Sequence, residues 1–190
     1  MKEISRAIAA WCSRNSDNAV YSEAVTACGV ELMLNTFSKI LVLLLLGAAA
    51  GKLGETVLTL AVFGGMRYFA GGYHCSTDAG CLGFMLCMCL AAILLEQAAP
   101  PAIFLAPVLS FAVCGIVRYA PRNSAVNPVT DSRVLLRKRR GSLICLALLV
   151  TVIFMIQPLG MKWLVAAPLF IEALTVSEIF NKRRTKHETR

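Results

Sequence analysis

The sequence predicts an all-α fold: a polytopic integral membrane helical bundle with about six transmembrane segments, preceded by an amphipathic N-terminal helix. Three observations carry this prediction. Of the 190 residues, 57% are apolar and only 16% are charged, against roughly 25% charge in an average soluble domain. The apolar residues come in long runs, such as 40–50 and 143–156. The basic residues concentrate beside such runs, at 118–140 and 182–190. Nothing in the composition reads as a linker, so one membrane-embedded domain is expected over 1–190.

The elements follow in chain order. Residues 2–13 read as an amphipathic helix with Ile4, Ile8 and Trp11 on one face and Lys2, Glu3 and Arg6 off it. The polar stretch 13–18 is a break rich in N-cap residues, and it closes the first part of an N-terminal region, 1–31. A second helix enters the membrane near Leu32. Glu31, Asn35 and Lys39 recur every fourth residue and form one polar stripe. That stripe either packs against other helices or lines a substrate cavity. Hydrophobic segments are then expected at 32–50, 53–70, 82–97, 101–119, 142–157 and 161–180. Pro100-Pro101 marks a tight loop, and Pro107 and Pro168 predict kinks inside segments. Glu172, inside the last segment, is either functional or a hydrogen-bonded structural group.

Charge fixes the expected orientation. With the N-terminus in the cytoplasm and six spans, the inside segments are 1–31, 67–81, 118–141 and the basic tail 181–190. All of the 19 Lys and Arg except Lys39, Lys52 and Lys162 then lie inside, as the positive-inside rule requires. Both termini and the 67–81 loop are therefore expected on the cytoplasmic side of the membrane. The first 30 residues are too polar for a signal peptide. A net charge of +8 reads here as a topology signal and not as nucleic-acid binding. The eight cysteines sit mostly in apolar runs, where cysteine behaves as a small hydrophobe. On the cytoplasmic side thiols stay reduced.

The stretch 67–81 carries the chemistry. His74 and Cys81 give a base and a thiol, the minimum for nucleophilic catalysis. On a straight helix they would lie about 10 Å apart along the axis, too far for proton transfer. The segment must fold back, and Gly71, Gly72 and Gly80 permit it. Cys81 then stands at the start of the next helix, a position that favours a thiolate. Glycine N–H groups or the Arg67 guanidinium are candidates for stabilising an oxyanion. Cys75 competes as nucleophile, and Asp78 or Ser76 could orient the imidazole or simply belong to the turn. A helix-capping His74 is the non-catalytic alternative. His74, Cys75 and Cys81 are too tightly spaced for a zinc site, and no metal or cofactor is expected.

The pattern Arg67-x4-Gly72-x-His74-x6-Cys81 resembles the signature of the accessory gene regulator B (AgrB) family. A second block agrees: Tyr119-Ala120-Pro121, a short polar loop, Pro128, then the basic run to Arg140. Glu172 in the last span has its counterpart too. The resemblance implies a membrane cysteine endopeptidase of Gram-positive bacteria that processes quorum-sensing propeptides. It implies Cys81 as nucleophile, His74 as base, and Arg67 and Gly72 as positions needed for activity. It also implies that Arg137, Lys138, Arg139 and Arg140 form a substrate-binding basic loop. The implied substrate has an amphipathic leader and an acidic C-terminal tail. The enzyme would cleave off that tail and close a thiolactone or lactone ring through an acyl-enzyme thioester. Gly71, Tyr73 and Cys75 replace small or histidine residues usual in the family.

The lipid bilayer is an expected partner, and a homodimer fits a small helical membrane protein. The alternative function is a small membrane transporter or peptide exporter without covalent catalysis. It leans on Glu31, Asn35, Lys39 and Glu172 and on the kinked spans.

Overall fold

In the computed structural model, residues 2–15, 23–73, 75, 77–122 and 131–177 are described. Seven α-helices run through them: α1 (Lys2–Asn15), α2 (Glu23–Ala49), α3 (Leu53–Ala70), α4 (Asp78–Ala98), α5 (Leu105–Tyr119), α6 (Ser132–Met155) and α7 (Leu159–Val176). No strand forms among the described residues. A 3-10 turn, Ala102–Phe104, leads into α5.

Four stretches are long and apolar enough to cross a bilayer: Val25–Ala49, Asp78–Ala98, Ala102–Tyr119 and Leu159–Val176. Four of the six expected segments reach that length and hydropathy. The other two expected segments do form helices, but they are less apolar. α3 carries Glu55 and Arg67 within 18 residues, and α6 opens on a basic run. Pro107 falls in the first turn of α5. There its missing N–H leaves no intrahelical bond unmade, so it marks a helix start. Pro168 sits inside α7 as expected.

Burial separates the helices into a centre and a periphery. Two-thirds of α7 is enclosed, 67% of its span, against 11% for Val25–Ala49 and 17% for Asp78–Ala98. α7 packs on α3, α4 and α5, and more lightly on α6. Its Val165, Leu169, Ala173 and Val176 meet Met66 and Ile116 in the main core. The outer helices present Leu32, Met33, Leu94, Ile144 and Phe154 outward. So large an exposed apolar surface suits a bilayer and would not suit water. α1 packs on α2 and buries Ser5, while Ile8 and Trp11 are turned outward. The amphipathic reading of α1 thus gains a direction: those two members of its apolar face point away from the protein. The side chain of Ile4 lies outside the described set.

The two ends of the bundle differ in charge. At one end Lys52 bonds Glu55 at 2.7 Å and lies 3.6 Å from Glu96. Its bond to Glu55 holds the ammonium above its usual pKa range. Trp163 Nε1–H there donates to the Pro100 carbonyl at 3.0 Å, closing the Pro-Pro loop onto α7. At the other end the C-termini of α3, α5 and α7 meet, and that junction is the candidate site.

Candidate active site

α3 ends at Ala70 and the chain turns on two glycines with positive φ, Gly71 at 70° and Gly72 at 121°. Only glycine adopts such angles without strain. Space demands it as well. A Cβ on Gly71 would stand 2.4 Å from the Arg122 carbonyl, and one on Gly72 would stand 2.7 Å from Arg67 Nη1.

Three chain segments converge on this turn. Gly71 forms a parallel bridge with Arg122, and the Arg122 N–H donates to the Ala70 carbonyl at 2.8 Å. The Tyr73 N–H donates to the Thr175 carbonyl at 3.1 Å. The turn after α3 is thus held between the Tyr119-Ala120-Pro121 corner and the end of α7. The Ala120–Pro121 peptide at that corner is cis.

Arg67 binds the assembly together. Its Nη1 donates to Glu172 Oε2 at 3.1 Å and to Thr175 Oγ1 at 2.8 Å. Its Nη2 donates to the Tyr73 carbonyl. The guanidinium also lies over the Phe63 ring, 5.6 Å from its centroid. Glu172 is fully buried, and its Oε1 has no hydrogen-bond partner among the described residues. A buried carboxylate in this setting depends on its single arginine. Glu172 is therefore the ion-pair partner of Arg67.

Cys81 sits in the first turn of α4, as the folded-back loop requires. Thr77 caps that helix: its Oγ1 accepts from the Gly80 N–H and its carbonyl from the Cys81 N–H, both at 3.1 Å. Cys81 is half-buried, and none of the eight cysteines is in a disulfide. The Cys75 side chain faces the same turn: a Cβ built on Gly80 would lie 3.5 Å from Cys75 Cβ and 4.0 Å from its Sγ. Two thiols therefore border the start of α4. His74 and Ser76 lie outside the described residues; the neighbours of His74, Tyr73 and Cys75, are described.

Asp78, the first residue of α4, is taken up by α2. Lys39 Nζ donates to Asp78 Oδ1 at 2.8 Å, and Asn35 Nδ2 donates to the same oxygen. Asn35 and Lys39 of the α2 stripe therefore dock the helix that carries Cys81, which is the packing alternative for these two.

The basic run is not a loop. Asp131 caps α6, its Oδ1 accepting from the Arg133 N–H at 2.8 Å. Arg137, Lys138, Arg139 and Arg140 all lie in the helix. The expected loop 118–141 is corrected accordingly, with helix at both its ends. Lysine, arginine and leucine are strong helix formers, so the local sequence favours this outcome. α6 packs on α3, α5 and α7, whereas α4 packs on α7, α3 and α2. The basic residues and Cys81 thus belong to helices that are not close neighbours.

Among the described residues, no three His, Cys, Asp or Glu side chains come together as metal ligands. Sequence reasoning missed Thr175, Arg122 and the Lys39–Asp78 pair. Only Thr175 left a trace, standing one helical turn from Glu172.

The fold and this junction define a class: a multi-pass helical membrane protein with an unpaired thiol at a helix start, beside a glycine turn anchored on a buried ion pair. The chain matches the family Accessory gene regulator B (AgrB) over residues 5–176, and it belongs to that family. The family is known for autoinducing-peptide processing. No curated protein and no solved structure matches the chain.

Proposed function

We propose that this chain is a cysteine endopeptidase that cleaves the C-terminal part of a quorum-sensing propeptide and cyclises the remainder. The observation that carries the reading is Cys81 as a free thiol in the first turn of α4. It is reached from a loop whose preceding residue, Tyr73, is pinned by Arg67 and Thr175.

The steps balance as follows. His74 takes the thiol proton, and the Cys81 sulfur attacks the scissile carbonyl carbon. The C–N bond breaks as His74 returns that proton to the departing amine. The acyl group stays on Cys81 as a thioester. An internal Cys thiol or Ser hydroxyl of the propeptide attacks the thioester and closes the ring. Its proton passes through His74 to the released Cys81 sulfur. Holding that internal nucleophile beside the thioester makes ring closure effectively unimolecular and favours it over hydrolysis.

Arg67 acts here as a positioning residue. Glu172, Thr175 and the Tyr73 carbonyl take up its guanidinium, so the oxyanion falls to backbone N–H groups. Gly72 allows the close approach of Arg67 Nη1 and Thr175 Oγ1 to the turn. A cytoplasmic orientation of the site end is supported by the basic residues gathered there, Arg67, Arg118, Arg122 and the α6 run. The exporter reading loses support because Asn35, Lys39 and Glu172 are engaged by internal partners.

Co-expression with a propeptide tests this. C81S and H74A are expected to abolish cleavage while C75A cleaves. The C81S protein should also fail to form a hydroxylamine-sensitive adduct with the substrate. Cleavage by C81A, or its loss in C75A alone, would sink the assignment.

A further inference from the structure

α6 carries a feature that the cysteine chemistry does not use. Arg133, Arg137 and Arg140 are exposed. At 3.6 residues per turn they share one face of the helix. That face continues as Ile144, Leu148 and Met155, all exposed and apolar. The opposite face, Ser142, Leu146 and Ile153, is buried in the bundle. Among the described residues no carboxylate pairs with any of the three arginines.

We propose that the N-terminal turns of α6 bind the phosphate headgroup of an anionic phospholipid, whose acyl chains lie along Ile144 and Leu148.

The dimensions suit this. Arg137 and Arg140 are separated by roughly 4.5 Å of helical rise. The headgroup region on each side of the hydrocarbon core is about 5–7 Å thick. A lipid with its phosphate among the guanidiniums therefore has its tails beside the apolar continuation of the same strip. Arginine suits phosphate because its planar fork donates two parallel hydrogen bonds. The stem of each side chain can lie along apolar surface while its head stays at the interface.

An acidic peptide would satisfy the charges equally well, but it has no use for Ile144 and Leu148. A peptide tail leaving Cys81 also starts at α4, which is not a close neighbour of α6. Continuity with the outward apolar face selects the lipid. The assignment is independent of which cysteine is the nucleophile.

The full-length chain in nanodiscs of equal phosphatidylglycerol and phosphatidylcholine, released into native mass spectrometry, provides the test. Phosphatidylglycerol adducts should exceed phosphatidylcholine adducts, each arginine contributing about fivefold. R133Q/R137Q/R140Q should lose the preference, and R133K/R137K/R140K should keep most of it. R137Q/R140Q carries the same expectation of loss should the triple glutamine variant not fold. Equal adducts in the parent protein, or a preference that survives the glutamines, overturns the proposal. So does arginine-dependent binding of a soluble Glu-rich peptide in phosphatidylcholine-only discs when the mixed discs show no lipid preference.

Discussion

Arg67 and Arg137 sit at the same end of the bundle and meet opposite fates. Phe69 of α3 and Gly141 of α6 fix the common level: a Cβ on Gly141 would come within 2.3 Å of the Phe69 ring. Two residues before Phe69, Arg67 is enclosed, with a side-chain exposure of 16% and three acceptors. Four residues before Gly141, Arg137 is exposed and without an ion-pair partner among the described residues. A run of arginines draws the eye in the sequence, but the single arginine holds the site. The difference lies in what surrounds the charge. A buried guanidinium must be saturated, and each acceptor it recruits becomes fixed in place. An exposed one stays solvated and available to ligands outside the protein.

The sharpest way to break the comparison is to remove the enclosed charge. Arg67→Met leaves Glu172 buried in the core without its cation, at a cost of about 3–5 kcal/mol. Thermal unfolding in detergent should show it as the largest loss of any change considered. R67M/E172L removes both charges and should recover most of the stability. The double variant still has nothing to hold the Tyr73 carbonyl, so propeptide cleavage should stay low although the fold returns. Stability near that of the parent in R67M alone would mean that the pair is not the keystone.

Gly72→Ala tests the same junction through the backbone. The residue needs φ near 121°, and the new methyl meets both Arg67 Nη1 and Thr175 Oγ1. A cost of about 1–3 kcal/mol is expected from backbone strain alone. Cleavage should fall further than stability does, because the displaced groups are those that hold the loop before His74. A variant as active as the parent would show that this turn tolerates movement.

Much of this was legible in the sequence, and the missing parts share a cause. The helices were readable because apolar runs of span length have few other uses. Cys81 at a helix start was readable because glycines force a turn and short polar residues follow it. Arg67 and Glu172 were each singled out, but their pairing was not, since 105 positions separate them and no local pattern joins the two. The outward direction of Ile8 and Trp11 was hidden for the same reason: periodicity gives a face and leaves its neighbour unknown. The basic stretch read as a loop because charge was weighed ahead of helix propensity, which favoured the helix throughout. α3 and α6 are less apolar than the other four segments because of the charges they carry, Glu55 and Arg67 in one and the basic run in the other.

Lys39 falls between the two extremes. Its ammonium is largely enclosed, with 14% side-chain exposure, but its partner Asp78 is 73% exposed. Water therefore stabilises Asp78 when the lysine is gone, and Lys39→Met should cost no more than about 1 kcal/mol. The effect should be local. Amide hydrogen exchange at Gly80 and Cys81 should quicken in K39M and return toward the parent rate in K39R. Unchanged exchange would mean that Thr77 alone secures the start of α4.

The smallest effect belongs to the exposed arginine. Arg137 has no ion-pair partner among the described residues and no buried contact to lose, so Arg137→Gln should change stability by no more than about 0.5 kcal/mol in a zwitterionic detergent. In bilayers rich in phosphatidylglycerol the parent should unfold at a higher temperature than R137Q, because a ligand that binds only the folded state stabilises it. Raised salt should narrow that gap by screening the headgroup charge. A large loss already present in detergent would place a protein partner on Arg137. The two arginines would then differ in degree and no longer in kind.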